Sequence, residues 1–130
     1  MRDDPIWLLM DTILVVHEIS LQQHGGSAGL RDRAMLESAA ARARHQFAYG
    51  DSDICDLAAC YAFGIANNHP FIDGNKRTAF MAAYTFLGDN GLELTAPEAD
   101  AAVMTLGLAD KSVTEESYAQ WLRDNTKPQA

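Results

Sequence analysis

His69-Pro70-Phe71-Ile72-Asp73-Gly74-Asn75-Lys76-Arg77, running directly into the apolar stretch 78–87, decides how this chain folds and what it does. The nine residues supply a titratable base, a carboxylate, a glycine turn, an amide side chain and two cations. The ten that follow, Thr-Ala-Phe-Met-Ala-Ala-Tyr-Thr-Phe-Leu, are apolar nearly all round, as expected of a helix in the centre of a bundle. A glycine turn that opens onto a helix start is an anion site, because unpaired backbone N–H groups point outward and the helix dipole favours negative charge. An imidazole a few residues upstream lies close enough to take a proton from a group attacking that anion. The local chemistry is that of a phosphate held by backbone with a base beside it.

Outward from this stretch the dominant period is helical. Ile6, Leu9, Met10, Ile13, Val16 and His17 follow three-and-four spacing, which predicts a helix over 5–23 with Pro5 in its first turn. Gly25-Gly26-Ser27-Ala28-Gly29 ends it. Asp32 predicts the cap of a helix over 33–43, and 45–53 predicts a polar loop carrying Phe47 and Tyr49. Ile54, Leu57, Ala58, Tyr61, Ala62 and Ile65 give the clearest amphipathic helix, which stops at Asn67-Asn68 because Pro70 disfavours helical geometry at His69. A helix is expected over 76–88, a short extended piece at Leu92-Glu93-Leu94, and further helices over 97–108 and 114–123. Ser112, with Glu115 three residues on, predicts a cap for the last of them. Residues 126–130 are expected to fray. No pair of alternating strands occurs, so the expected fold is an all-α bundle of about six helices forming one domain over 1–130, with the motif loop at the start of a buried central helix.

Composition narrows the function. A net charge of −8 argues against direct nucleic-acid binding. Arg31, Arg33, Arg42, Arg44, Lys76 and Arg77 nonetheless hold six of the ten cationic side chains. They form either a basic mouth beside the motif or a solvated helix face. No apolar run reaches the ~18 residues of a membrane span. Met1-Arg2-Asp3-Asp4-Pro5 is wrong for a secretory signal, so the expected location is cytoplasmic. Cys55 and Cys60, five apart on a predicted helix, point to different faces and are expected to be buried free thiols. His17, His24 and His45 have no metal-ligand spacing, so no zinc site is expected.

The nine residues also resemble the active-site motif of the Fic/Doc family, H-x-F-x-[D/E]-[G/A]-N-[G/K]-R. Lys76 in place of glycine, and Thr78-Ala79-Phe80 in place of a second arginine, resemble its Doc (death-on-curing) branch. Gly25-Gly26, Gly29-Leu30-Arg31-Asp32, Leu36-Glu37-Ser38-Ala39 and Ala66-Asn67-Asn68-His69 sit where Doc-like chains carry similar segments. The resemblance covers roughly residues 6–123.

What the resemblance implies is a toxin of a toxin–antitoxin pair. It would bind ATP with Mg²⁺ and transfer the γ-phosphate to a serine or threonine of a target protein. By resemblance that target is translation elongation factor Tu, and a small antitoxin would neutralise the toxin by laying a helix in a groove beside the motif. His69 would take the proton of the acceptor hydroxyl, and Asp73 would hold Mg²⁺, since an ion that bridges phosphates needs only one or two protein carboxylates. Asp73-Gly74-Asn75 is also an ordinary turn whose carboxylate caps the next helix, and the two roles are compatible. Gly74, Asn75 and Lys76 would present N–H groups as an anion cradle, with the Asn75 side chain as a further donor. Arg77 would grip two phosphate oxygens and Lys76 would add a point charge. Phe71 would plug into the core beneath the loop and Pro70 would stiffen its entry. Classical Fic enzymes transfer AMP instead, which is the alternative activity; a silent partner-binding module is the alternative of another class. Residues 112–116 have the spacing of an inhibitory [S/T]-x-x-x-E-[G/N] motif found in some Fic proteins, but Ser117 stands where Gly or Asn is required.

Overall fold

The computed structural model describes residues 3–129. Among these residues it has six helices and one pair of short strands: α1 Met10–His24, α2 Arg33–Tyr49, α3 Ile54–Asn68, α4 Asn75–Asp89, β1 Leu92–Leu94, α5 Glu98–Asp110, α6 Glu115–Asp124 and β2 Thr126–Pro128. The all-α expectation holds.

α3 is the most enclosed element. Asp53 starts it with a reciprocal capping box: its carboxylate accepts from the Asp56 N–H at 2.8 Å, and the Asp56 carboxylate accepts from the Asp53 N–H at 3.0 Å. The helix then buries residues on every side, from Leu57 to Ala66, against α2, α4, α5 and α6. Small residues make such close packing possible. A Cβ at Gly64 would lie 3.0 Å from the Ala39 Cβ, so α2 and α3 approach almost backbone to backbone. α4 packs on α3, α1, α5 and β1, burying Thr78, Ala79, Ala82, Ala83, Phe86 and Leu87. Its other face carries Phe80, Met81 and Tyr84, which stay partly or largely exposed.

Arg123 on α6 ties the last helix to the start of α3, reaching Asp53 at 2.8 Å and Asp56 at 3.0 Å. Burial raises the Asp56 carboxyl, but hydrogen bonds from the Asp53 backbone and the Arg123 guanidinium more than offset this and hold it below the ordinary carboxylate range. A carboxyl depressed in the folded state stabilises the fold above its unfolded value, about 3.9. That contribution is lost as pH falls through the folded value. Melting temperature measured from about pH 6 down to 2 is therefore expected to fall more steeply for the wild type than for Asp56→Asn, with the difference opening below about pH 4.

Four sequence expectations are corrected. The first helix begins at Met10, not at residue 5. Residues 5–9 form an extended arm instead, because side chains from distant helices take its backbone groups. Asn90 exchanges two bonds with Ile6, at 2.8 and 3.0 Å, and the Tyr61 hydroxyl meets the Leu8 N–H at 3.2 Å. α2 runs on to Tyr49, which absorbs most of the loop expected at 45–53. Its last turns have an apolar partner: Trp7 lies edge-on to Phe47 at 5.5 Å and beneath Arg44 at 5.4 Å. The cap of α6 is Thr114, whose side chain accepts from the Ser117 N–H at 3.0 Å. Ser112 belongs to the preceding turn, and Val113 packs against Gly107 so closely that a Cβ there would lie 2.5 Å away. Residues 126–128 do not fray but pair antiparallel with β1, and the Gln129 N–H continues the contact to the Gly91 carbonyl at 3.0 Å. Ala130 lies outside the described residues. Cys55 and Cys60 are buried and free as expected; burial pushes both thiols up, Cys60 to about 12, which leaves them unreactive.

Candidate active site

The site is the loop between α3 and α4. α3 ends when His69 turns left-handed, at φ 48°, while its N–H still donates to the Ile65 carbonyl at 3.3 Å. Pro70 has no N–H with which to continue. The Arg31 guanidinium caps the end by donating to the carbonyls of His69 at 2.6 Å and Asn68 at 2.8 Å, a favourable place for a cation. Residues 29–32 then run antiparallel to 70–72. The Pro70 carbonyl accepts from the N–H groups of Arg31 at 2.7 Å and Asp32 at 3.0 Å, and the Ile72 N–H donates to the Gly29 carbonyl at 3.1 Å.

Phe71 plugs the core, as its position in the motif suggests. It is 1% exposed and stacks on the buried His17 ring with centroids 3.8 Å apart. Asn75 has a structural role as well. Its side-chain oxygen accepts from the Phe71 N–H and its NH₂ donates to the Phe71 carbonyl, both at 2.9 Å. The amide is therefore a brace across the loop, and the second hydrogen of its NH₂ is left over as a donor.

Gly74, at φ 79°, places the chain at the start of α4 without a side-chain cap. The first intrahelical bond is Thr78 N–H to the Gly74 carbonyl, at 3.0 Å. The N–H groups of Asn75, Lys76 and Arg77 have no acceptor among the described residues, so three donors face outward at the positive end of the helix dipole. They open on a cleft of about 710 Å³. The exposed ring of His69, the Asp73 carboxylate and the side chains of Lys76 and Arg77 all line it. Phe80, Met81 and Tyr84 of α4 and Leu106 of α5 line it too, with Glu98 and Thr105, which explains the unburied face of α4.

The cations upstream do not form a basic mouth. Arg31 is used as the cap of α3, and Arg33 pairs with Glu37 at 3.2 Å. Arg42 bonds Glu115 at 2.9 Å and Arg44 lies over Trp7. Lys76 and Arg77 alone among the six line the cleft. Glu116, on α6, does not line it, so the inhibitory spacing noted at 112–116 has no counterpart here.

Asp73 Oδ1 accepts from the Gly74 N–H at 2.9 Å and Oδ2 from the Ser27 N–H at 3.2 Å. Each oxygen keeps a lone pair for a cation. No cluster of three or more His, Cys, Asp or Glu able to hold a metal occurs among the described residues. A single carboxylate beside an anion cradle suits Mg²⁺ bound through phosphate oxygens, not a metal caged by protein. Sequence reasoning missed His17, whose Nε2–H donates to the Asp73 carbonyl at 2.8 Å. Only the tertiary fold brings the two together, 56 residues apart in the chain.

The Fic/DOC family model matches residues 7–87, from the arm before α1 to the last turns of α4. This chain belongs to the Fic/DOC family. Over 115 residues it is 31% identical to the protein kinase Doc of Escherichia phage P1, spanning 87% of this chain and 90% of that one. Over 74 residues it is 42% identical to the toxin Doc of Mycolicibacterium smegmatis, spanning 55% and 57% of the two chains. Within this Fic/DOC domain the family motif is the segment that the fold places on the cleft.

Proposed function

We propose that this chain is a Doc-like toxin that transfers the γ-phosphate of ATP to a serine or threonine hydroxyl of a target protein. The observation that carries the proposal is the uncapped start of α4, with three free N–H groups and an exposed imidazole on the same cleft. Transfer of a phosphoryl group asks a protein mainly for positioning and charge stabilisation. The N–H groups of Asn75, Lys76 and Arg77 would hold the γ-phosphate oxygens, with the Arg77 fork and the Lys76 charge beside them. His69 would accept the proton of the acceptor hydroxyl as its oxygen bonds to the γ-phosphorus. The bond from that phosphorus to the β–γ bridging oxygen breaks, and ADP leaves. Asp73 would hold Mg²⁺, which supplies charge neutralisation to the phosphates.

Kinase activity is favoured over AMP transfer by Phe80. Classical Fic motifs carry a second arginine at this position, and here an aromatic ring lines the cleft instead. The relatives named protein kinase Doc and toxin Doc support the same choice. They also support a cognate antitoxin as partner, for which the open apolar faces of Tyr84 and Leu106 beside the motif offer a seat. By resemblance the target would be elongation factor Tu and the outcome arrested translation, and the protein would then act in the cytoplasm. No helix among the described residues is long and apolar enough to cross a membrane.

Intact-mass measurement of elongation factor Tu after incubation with the protein, ATP and Mg²⁺ tests this. A gain of one phosphate is expected. A gain of one adenylate would make the protein an AMP transferase. An unchanged mass, from a preparation still toxic to cells, would rule out elongation factor Tu as the target.

A further inference from the structure

We infer that His17 is a positioning residue for the Asp73 carboxylate, working with the glycine-rich strap 25–29 that follows α1; the inference rests on Asp73 being the metal-binding group of the proposed reaction. On α1, His17 sits among buried Ile13, Val16 and Leu21, and is itself 5% exposed. An apolar side chain would fill that space as well, and a buried imidazole is costly unless hydrogen-bonded. Its bond goes to the Asp73 carbonyl at 2.8 Å; because a carbonyl can only accept, Nε2 carries the proton. Stacking on Phe71, with the ring planes 8° apart, fixes the direction of that N–H.

The bonded carbonyl belongs to the peptide between Asp73 and Gly74. The N–H of the same peptide seats Asp73 Oδ1 at 2.9 Å. Glycine turns easily about its backbone bonds, so without His17 this peptide plane is free to rotate and to carry the carboxylate with it. The strap fixes the second oxygen. The Ser27 N–H holds Oδ2 at 3.2 Å, and Gly26, at φ 120°, leaves it room: a Cβ there would stand 2.9 Å from Oδ2. Three atoms of Asp73 are thus held from outside its side chain. The amides of Asn75, Lys76 and Arg77 belong to later peptides set by α4, so the clamp acts on the carboxylate and not on the anion cradle.

The test is the ratio of dissociation constants for a non-hydrolysable ATP analogue measured by calorimetry in EDTA and in Mg²⁺, which isolates the metal's contribution to binding. His17→Phe keeps the stack and loses the donor. It is expected to lower the ratio about 10-fold or more, as outer-shell changes around a metal do, while the value in EDTA stays as in the wild type. His17→Gln, which returns an N–H near the same place, is expected to recover most of the ratio. Gly26→Ala, on the exposed strap, is expected to lower it as His17→Phe does and supplies the answer if His17→Phe does not fold. Asp73→Ala is the reference and brings the ratio close to one. A wild-type ratio in both His17→Phe and Gly26→Ala, with Asp73→Ala collapsed, overturns the inference and leaves the proposed function standing. Equal weakening of His17→Phe in EDTA and in Mg²⁺ makes His17 merely structural and also overturns it. A wild-type ratio in Asp73→Ala removes the metal role of that residue, and the inference with it.

Discussion

His69→Ala is expected to slow phosphate transfer by about 10²–10⁴-fold, the usual contribution of a positioned general base, without a measurable change in melting temperature. The two halves of this expectation have separate structural causes. The ring is exposed on the cleft and bonds to no side chain among the described residues, so its removal costs the fold little. What His69 gives the fold comes from its backbone: an N–H to Ile65, a carbonyl held by Arg31, and a left-handed turn at φ 48°. Alanine can keep all three, since none of them uses the ring. Steady-state transfer rates and thermal melts of the same preparation check both halves. In cells, expression of His69→Ala without its antitoxin is expected to be tolerated, as is Asp73→Asn. Toxicity that survives both substitutions would mean that the protein harms its host by sequestering a partner, not by chemistry.

Legibility of the chain followed the range of the interactions. α3 was readable to its first residue, because the apolar repeat from Ile54 is a local signal; the Asp53–Asp56 capping box, equally local, went unread. The motif is local too: seven of its nine residues, His69 and 72–77, line one cleft, while Pro70 and Phe71 lie beneath it. What failed depended on partners far away in sequence. The three-and-four spacing of Ile6 and Leu9 imitates a helix, yet Asn90, 84 residues on, holds Ile6 in an extended arm and leaves both apolar side chains exposed. For Arg31 the sequence left open a positive mouth or a solvated face, and the end of α3, 37 residues away, takes its guanidinium instead. Thr114 and Ser112 are both good caps by composition, and packing of Val113 on Gly107 chose between them. The Asn75 brace needs no distant partner, since Phe71 is only four residues away. Its amide bonds one backbone residue through both of its groups and still keeps one N–H.

The same loop predicts the largest loss of stability. Phe71→Ala is expected to lower the unfolding free energy by about 3–5 kcal/mol, the cost of deleting a buried aromatic ring and leaving a cavity. For a chain of this size that corresponds to a fall in melting temperature of roughly 10–20 °C. The ring is 1% exposed and lies flat against His17, so no flexible neighbour is free to fill the space without breaking the bond from His17 to Asp73. The backbone of residue 71 does not depend on its side chain, because Asn75 binds its N–H and carbonyl and Leu30 pairs across from it. The loop is thus expected to stay closed while its floor is hollowed, and transfer should fall even well below the new melting temperature. Phe71→Leu keeps most of the volume and is expected to lose less in both measurements. Equilibrium denaturation and transfer assays on the two variants separate floor from brace. A loss below about 1 kcal/mol for Phe71→Ala, far under the usual cost of such a truncation, would show that Asn75 and the strap hold the site unaided and that the core beneath it is dispensable.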